Sequence, residues 1–181
     1  MDANGTKMNR EKLFREAIRE NDHRIYRICC YFFPDRDDSN DAYQESLIRI
    51  WENLHSFRGK SMLSTWIYRV AVNTCLSYIR RDRHRNRLVV NGHNAGVFQV
   101  ADVQDENTGT EEIKIAFLQR FMTDLTTADR TLVSLYLEDL STKEMAEVTG
   151  ISEANVRVRI HRIKEKIKKE WEENQHGTGR F

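Results

Sequence analysis

Proline is almost missing from this chain: Pro34 is the only one among 181 residues. A proline inside a helix removes a hydrogen bond and clashes with the preceding turn, so a single one leaves nearly the whole chain free to be helical. Long apolar runs are missing too. None approaches the ~20 residues that cross a bilayer, and the opening MDANGTKMNR lacks the apolar core of a signal peptide. A cytoplasmic protein with no membrane insertion is expected. Cysteine is scarce and odd in number. Cys29, Cys30 and Cys75 show no metal-ligand spacing, and the adjacent pair points to different sides of a helix. They read as buried reduced thiols, with no metal and no cofactor. No glycine-rich phosphate loop follows a strand, and neither HExxH nor GxSxG occurs, so nothing points to an enzyme.

What the chain has in quantity is charge, and its near balance hides a pattern. Lys and Arg number 29 against 28 Asp and Glu, a net of +1. Yet Arg80, Arg81, Arg83, Arg85 and Arg87 stand together against Asp82 alone. A second block holds Arg157, Arg159, Arg162, Lys164, Lys166, Lys168 and Lys169 against Glu165 and Glu170. Acid collects between Asp35 and Asp41 and again between Asp102 and Glu112. Two separated basic blocks suggest two contacts with a polyanion.

The length favours one domain or two small ones. Leu13, Phe14, Ala17, Ile18, Ile25, Ile28, Cys29 and Phe32 recur at helical spacing until Pro34. The next segment offers Ser39 as its N-cap and sets Tyr43, Leu47, Ile50, Trp51 and Leu54 on one face. SFRGKS interrupts it, with Gly59 suited to a tight turn, and a strongly apolar helix is expected from about Ser64 to Arg81. Periodicity then vanishes between about His84 and Thr110. That segment is read as a flexible acidic linker which, at roughly 3.4 Å per residue, reaches on the order of 80 Å. Helicity resumes near Glu111, with Ile113, Ala116, Phe117 and Phe121 in one stripe and Leu132, Leu135, Tyr136 and Leu140 in another. The fold expected is all-α. It has a helical domain over 10–84, a linker over 85–110 and a second helical domain over 111–172.

The second domain ends in a helix-turn-helix pattern. Ser141 and Glu144 form an S-x-x-E capping box, Gly150 fits the left-handed position that ends a helix, and Ser152 caps the next one. At about 100° per residue, Val156, Ile160, Ile163, Ile167 and Trp171 make one narrow buried stripe flanked by cations. Val158 points away from it. A solitary exposed valine is ordinary, but among arginines it also suits a thymine methyl while the arginines take guanine edges or phosphates.

Four stretches taken together resemble a bacterial RNA polymerase sigma factor of the extracytoplasmic-function (ECF) group. They are DAYQESLIRIWENL, SFRGKSMLSTWIYRVAVN, the arginine block after it, and LTTADRTLVSLYLEDLSTKEMAEVTGISEANVRVRIHRIKEKI. The resemblance implies a region 2-like and a region 4-like module without a middle domain, acting with core RNA polymerase on promoter DNA. Asp41, Gln44 and Glu45, with Ile48, Arg49 and Glu52 beside them, match the helix that docks on the polymerase clamp. SFRGKS matches the loop that captures a flipped minus-10 base. Phe57, Gly59, Lys60 and Ser61 supply a tight turn, a wall and polar groups, and Asn73 matches a position of the same pocket. Phe57 reads equally as a core residue, and Trp66 and Tyr68 fit either a buried or a base-contacting role. Arg80, Arg81 and Arg83 suit backbone phosphates.

Arg157, Arg159, His161 and Arg162, with Val158, match the helix that reads the minus-35 major groove. Lys164, Lys166 and Lys168 suit phosphate or water. The linker matches a segment that threads polymerase channels, though an ordinary tether fits as well. Housekeeping sigmas carry Trp-Trp where this chain has Trp66-Ile67, which implies greater dependence on captured bases and a stringent promoter requirement. The partners implied are core polymerase through its clamp and flap, duplex DNA at minus-35, single-stranded DNA at minus-10, and an anti-sigma factor. The rival readings are a helix-turn-helix repressor or activator and a helical adaptor that never touches DNA.

Overall fold

The computed structural model describes residues 3–86 and 108–177, with side chains over 10–81 and 113–175. Within them every regular element is a helix, and the chain divides into two compact units, Met1–Phe98 and Gln99–Phe181.

The first unit is three long helices, α1 (Ala3–Phe32), α2 (Arg36–Asn53) and α3 (Leu63–Asn86), each packed on the other two. Its core is Ile25, Ile28 and Phe32 from α1, Ala42 and Ile50 from α2, and Ile67, Ala71 and Val72 from α3. Full burial of each large aliphatic side chain contributes about 1.5–3 kcal/mol. Cys29 and Cys75 are both buried as free thiols with their sulfurs 3.9 Å apart, far beyond a covalent bond.

Two expectations for α2 are corrected. Asp35, directly after Pro34, is the N-cap: its carboxylate accepts from the N–H groups of Asp37 and Asp38 at 2.8 and 3.1 Å. Ser39 lies inside the helix, buried, its hydroxyl donating to the Arg36 carbonyl. The buried row is Ser39, Ala42, Ser46 and Ile50. Of the expected face, Ile50 and Leu54 are buried, whereas Tyr43, Leu47 and Trp51 lie on the flanks of the row of small residues and are only half-buried. There Trp51 meets Phe14 edge-on at 5.2 Å and the Arg10 guanidinium at 4.3 Å.

The second unit contains α4 (Thr108–Asp124), α5 (Thr127–Leu137), α6 (Thr142–Thr149) and α7 (Glu153–Gly177). Phe121, Met122, Leu132, Leu135, Leu140, Met145, Val148, Val156, Ile160 and Ile163 form its core. The expected stripe on α4 holds only at its C-terminal half. Ile113 is 63% exposed and Ala116 is exposed, whereas Phe121 is buried and Phe117 packs edge-on against Trp171 at 5.0 Å. Tyr136 is likewise exposed rather than buried.

The expected linker is shortened at both ends, because α3 continues through Asn86 and α4 starts at Thr108. Residues 87–107, on which the expected flexibility and reach depend, lie outside those described.

Candidate nucleic-acid interface

In the first unit, α2 ends in a short 3-10 turn, Leu54–Ser56, and the chain then crosses to α3 through Phe57–Met62. Gly59 takes φ +68°, a left-handed conformation open to glycine without strain. Arg58, Gly59 and Lys60 are exposed, Ser61 is half-buried and Met62 is 67% exposed. Phe57 packs half-buried against Trp66, ring centroids 5.9 Å apart, so the loop leans on the start of α3. From Trp66 a face runs down α3 at helical spacing through Arg69, Asn73, Ser77 and Arg80. Asn73 is exposed, about 10 Å along the helix from Trp66. Arg80 and Arg81 are exposed at its end, Arg81 lying 4.5 Å over the Tyr78 ring. The side chain of Arg83 lies outside the described residues.

Tyr68 does not belong to that face. It is 3% exposed, and its hydroxyl donates to Asn21 Oδ1 at 2.5 Å inside the helix packing. A tyrosine so held cannot stack on a base without opening the core. Arg58, Arg69 and Met62 do join the surface although sequence reasoning passed over them. For Arg69 the signal was present in its spacing from Trp66 and Asn73; for Met62, an apolar residue, no local signal announced exposure.

A separate face of α2 carries Asp41, Gln44, Glu45, Ile48 and Glu52, opposite the buried Ala42, Ser46 and Ile50. Ile48 is 52% exposed among these polar neighbours. Beside it Arg49 Nε donates to Glu45 at 2.9 Å, fixing both half-buried side chains. An apolar centre inside a polar, partly pre-ordered rim is the composition of a protein-docking patch.

The second unit presents α7. Ser141 accepts from the Glu144 N–H while the Glu144 carboxylate accepts from the Ser141 N–H at 2.8 Å, closing the expected capping box. Gly150 ends α6 at φ +75°, and Ser152 Oγ accepts from the Asn155 N–H at 3.3 Å to start α7. Val156, Ile160 and Ile163 face inward, so Arg157, Val158, His161 and Arg162 face out, Val158 at 49% exposure. Arg159 differs: it is half-buried, and its Nε and Nη2 donate to Asp129 Oδ1 at 3.0 and 2.7 Å. The lysines beyond are partly engaged. Lys164 lies 4.2 Å over the Tyr136 ring, and Lys166 stands 3.6 Å from Glu170 and 5.5 Å over the Phe121 ring. Each unit thus offers a surface combining cations, polar groups and an apolar contact.

Comparison with known proteins bears on what these surfaces are. Residues 17–85 match the family described as Sigma-70 region 2, and residues 118–167 match Sigma-70, region 4. The ECF RNA polymerase sigma-E factor of Haemophilus influenzae is 33% identical over 144 residues, covering 75% of each chain. The ECF RNA polymerase sigma factor SigW of Bacillus subtilis is 27% identical over 154 residues, 81% of this chain and 82% of that one. Among solved structures, the sigma factor RpoE of Bartonella quintana, in complex with the anti-sigma factor NepR, superposes with TM-score 0.67 at 16% identity, covering 87% of this chain and 96% of that one. CnrH in complex with the cytosolic domain of CnrY gives 0.64 at 18%, covering 90% and 89%. These last two share the fold. The family matches fall on the two helical units that carry the exposed surfaces, and this chain belongs to the sigma-70 family as an RNA polymerase sigma factor of the ECF group.

Proposed function

We propose that the two exposed DNA-facing surfaces act at different promoter elements while the α2 patch holds the polymerase. Asp41, Gln44, Glu45, Ile48, Arg49 and Glu52 dock on the clamp. Phe57, Gly59, Lys60, Ser61, Trp66 and Asn73 receive an unstacked minus-10 base, with Arg80, Arg81 and Arg83 on neighbouring phosphates. Arg157, Val158, Arg159, His161 and Arg162 enter the minus-35 major groove. The domain limits proposed are 10–84 and 111–172. The chain works in the cytoplasm without catalysing a reaction, since the polymerase performs the chemistry. An anti-sigma partner fits the two structural relatives, each solved with such a partner or with a cytosolic domain.

The observation that carries the reading is the aromatic and polar face from the 57–61 loop through Asn73, in a unit separate from the helix-turn-helix. A duplex-binding repressor needs only the latter. The test is reconstitution with core polymerase and run-off transcription from candidate promoters. Specific transcripts that require the chain support the reading. Duplex binding by the chain alone without a transcript would point to a repressor, and neither activity to an adaptor.

A further inference from the structure

The outward residues of α7 are not equivalent. Arg157 reaches only Glu153, one turn back on its own helix, at 3.5 Å with both side chains largely exposed. Such a pair leaves the guanidinium free to reorient. Among the described residues Arg159 is the α7 arginine tied to a different helix. Its Nε and Nη2 both donate to Oδ1 of Asp129, thirty positions earlier in the first turn of α5. The carboxylate is fixed from the other side as well. Asp129 Oδ2 accepts the Thr126 hydroxyl at 2.8 Å, and that hydroxyl oxygen accepts the Asp129 N–H at 3.2 Å. The acid also sits at a helix N-terminus, where the dipole favours its charge. Side-chain exposures of 36% for Arg159 and 24% for Asp129 leave the pair reachable from solvent without being flexible.

The chemistry of the fork then decides what Arg159 can offer. A guanidinium has five N–H groups in a rigid plane. Asp129 takes the Nε proton and one on Nη2, leaving both Nη1 protons and the second on Nη2. Of these, the second Nη2 proton and the Nη1 proton beside it form the end of the fork, a pair that meets two adjacent acceptors. In the major groove only guanine presents two, N7 and O6. A side chain held before binding also loses less freedom when it binds.

We propose that Asp129 is a positioning residue for base recognition, holding Arg159 so that the end of its guanidinium selects a guanine at one minus-35 position. The inference rests on the reading of α7 as the minus-35 groove helix. Asp129 itself touches no base.

The test uses the full chain with core polymerase and a promoter set in which each minus-35 base pair is replaced in turn. Asp129→Asn keeps the shape and removes the charge, and Arg159→Lys keeps the cation and removes the fork. Both are expected to lose at least ~5-fold of discrimination at the same single position, with preferences elsewhere unchanged. The double variant is expected to be no worse than either single one. A uniform loss of affinity across all promoters, an unchanged preference profile, or effects at different positions would each overturn the proposal. Should Asp129→Asn fail to fold, Arg159→Lys alone decides by the same criterion. Arg162→Ala separates this inference from the reading beneath it. If Arg162→Ala changes minus-35 preference and the other two do not, only the role of Asp129 falls. If none does, the groove-helix reading falls as well.

Discussion

Two backbone positions of the second unit take the same left-handed conformation with different residues. Gly150 ends α6 at φ +75°, and a Cβ built there would meet nothing within 4 Å. Gly150→Ala therefore isolates the conformational cost, about 1–2 kcal/mol. Urea unfolding of the full chain measures it, and an unchanged midpoint would contradict the assignment. Asp139 takes φ +59° where α5 ends, its N–H donating to the Tyr136 carbonyl and that of Leu140 to the Leu135 carbonyl. This is the Schellman arrangement, whose left-handed position usually holds glycine. Asp139→Gly is expected to raise stability by up to about 1 kcal/mol, because the strain disappears while both hydrogen bonds remain. Val158, half-exposed between Arg157 and Arg159, tests the groove more finely. Val158→Ala should weaken the preference for a thymine at one minus-35 position without changing overall salt dependence, since no charge is lost. A competition assay over substituted promoters reads it, and an unaltered preference everywhere would sink the idea.

At the scale of the element, α2 packs through one face and, in the proposed function, docks on polymerase through the other. Its inner flank holds Tyr43, whose hydroxyl donates to the Asp22 carboxylate of α1. Burial, then the bond to Asp22 and its negative charge, push the phenol well above its ordinary value of 10.0. A raised folded value means that the contribution is whole below pH ~10 and is lost as pH rises further. Tyr43→Phe should accordingly flatten the alkaline decline in stability of the first unit, as followed by circular dichroism. An equally steep decline would contradict the linkage. On the outer face, Ile48→Arg should weaken core-polymerase binding at least ~10-fold, as a central apolar contact in a polar rim does. A pull-down titration with unchanged affinity would remove α2 from the docking surface.

The helix-turn-helix was legible in the sequence because its instructions are local. The capping box at Ser141, the stop at Gly150 and the inward stripe from Val156 to Ile163 all act within a few residues. The buried row of α2 was legible only in part, through Ile50, Leu54 and the outward Ile48. The rest of that row is Ser39, Ala42 and Ser46, small residues whose burial their own hydrophobicity does not announce. Tyr68 was ambiguous for a related reason: Asn21, which receives its hydroxyl, lies 47 positions away. The Asp129–Arg159 pair carries no local signature at all.

On the scale of the whole molecule, the proposed function depends on surfaces in two separately packed units, each with its own core. In the proposed function, helix α7 reads duplex DNA, whereas the Phe57–Ser61 loop and the Trp66–Asn73 face meet a strand only after it has unpaired. The second of these is expected to set the promoter requirement. Ile67 follows Trp66 where housekeeping sigmas have a second tryptophan, and it is fully buried. On that proposal Trp66, packed against Phe57, is left as the aromatic wedge on α3. Strand separation is then expected to draw on captured bases, so that sequence matters at minus-10 itself. Permanganate reactivity of minus-10 thymines measures this directly in complexes of core polymerase, this chain and promoter DNA. The account predicts reactive, unpaired thymines on a promoter the factor uses, and their loss when the minus-10 sequence is scrambled. Equal reactivity on the scrambled template would contradict it.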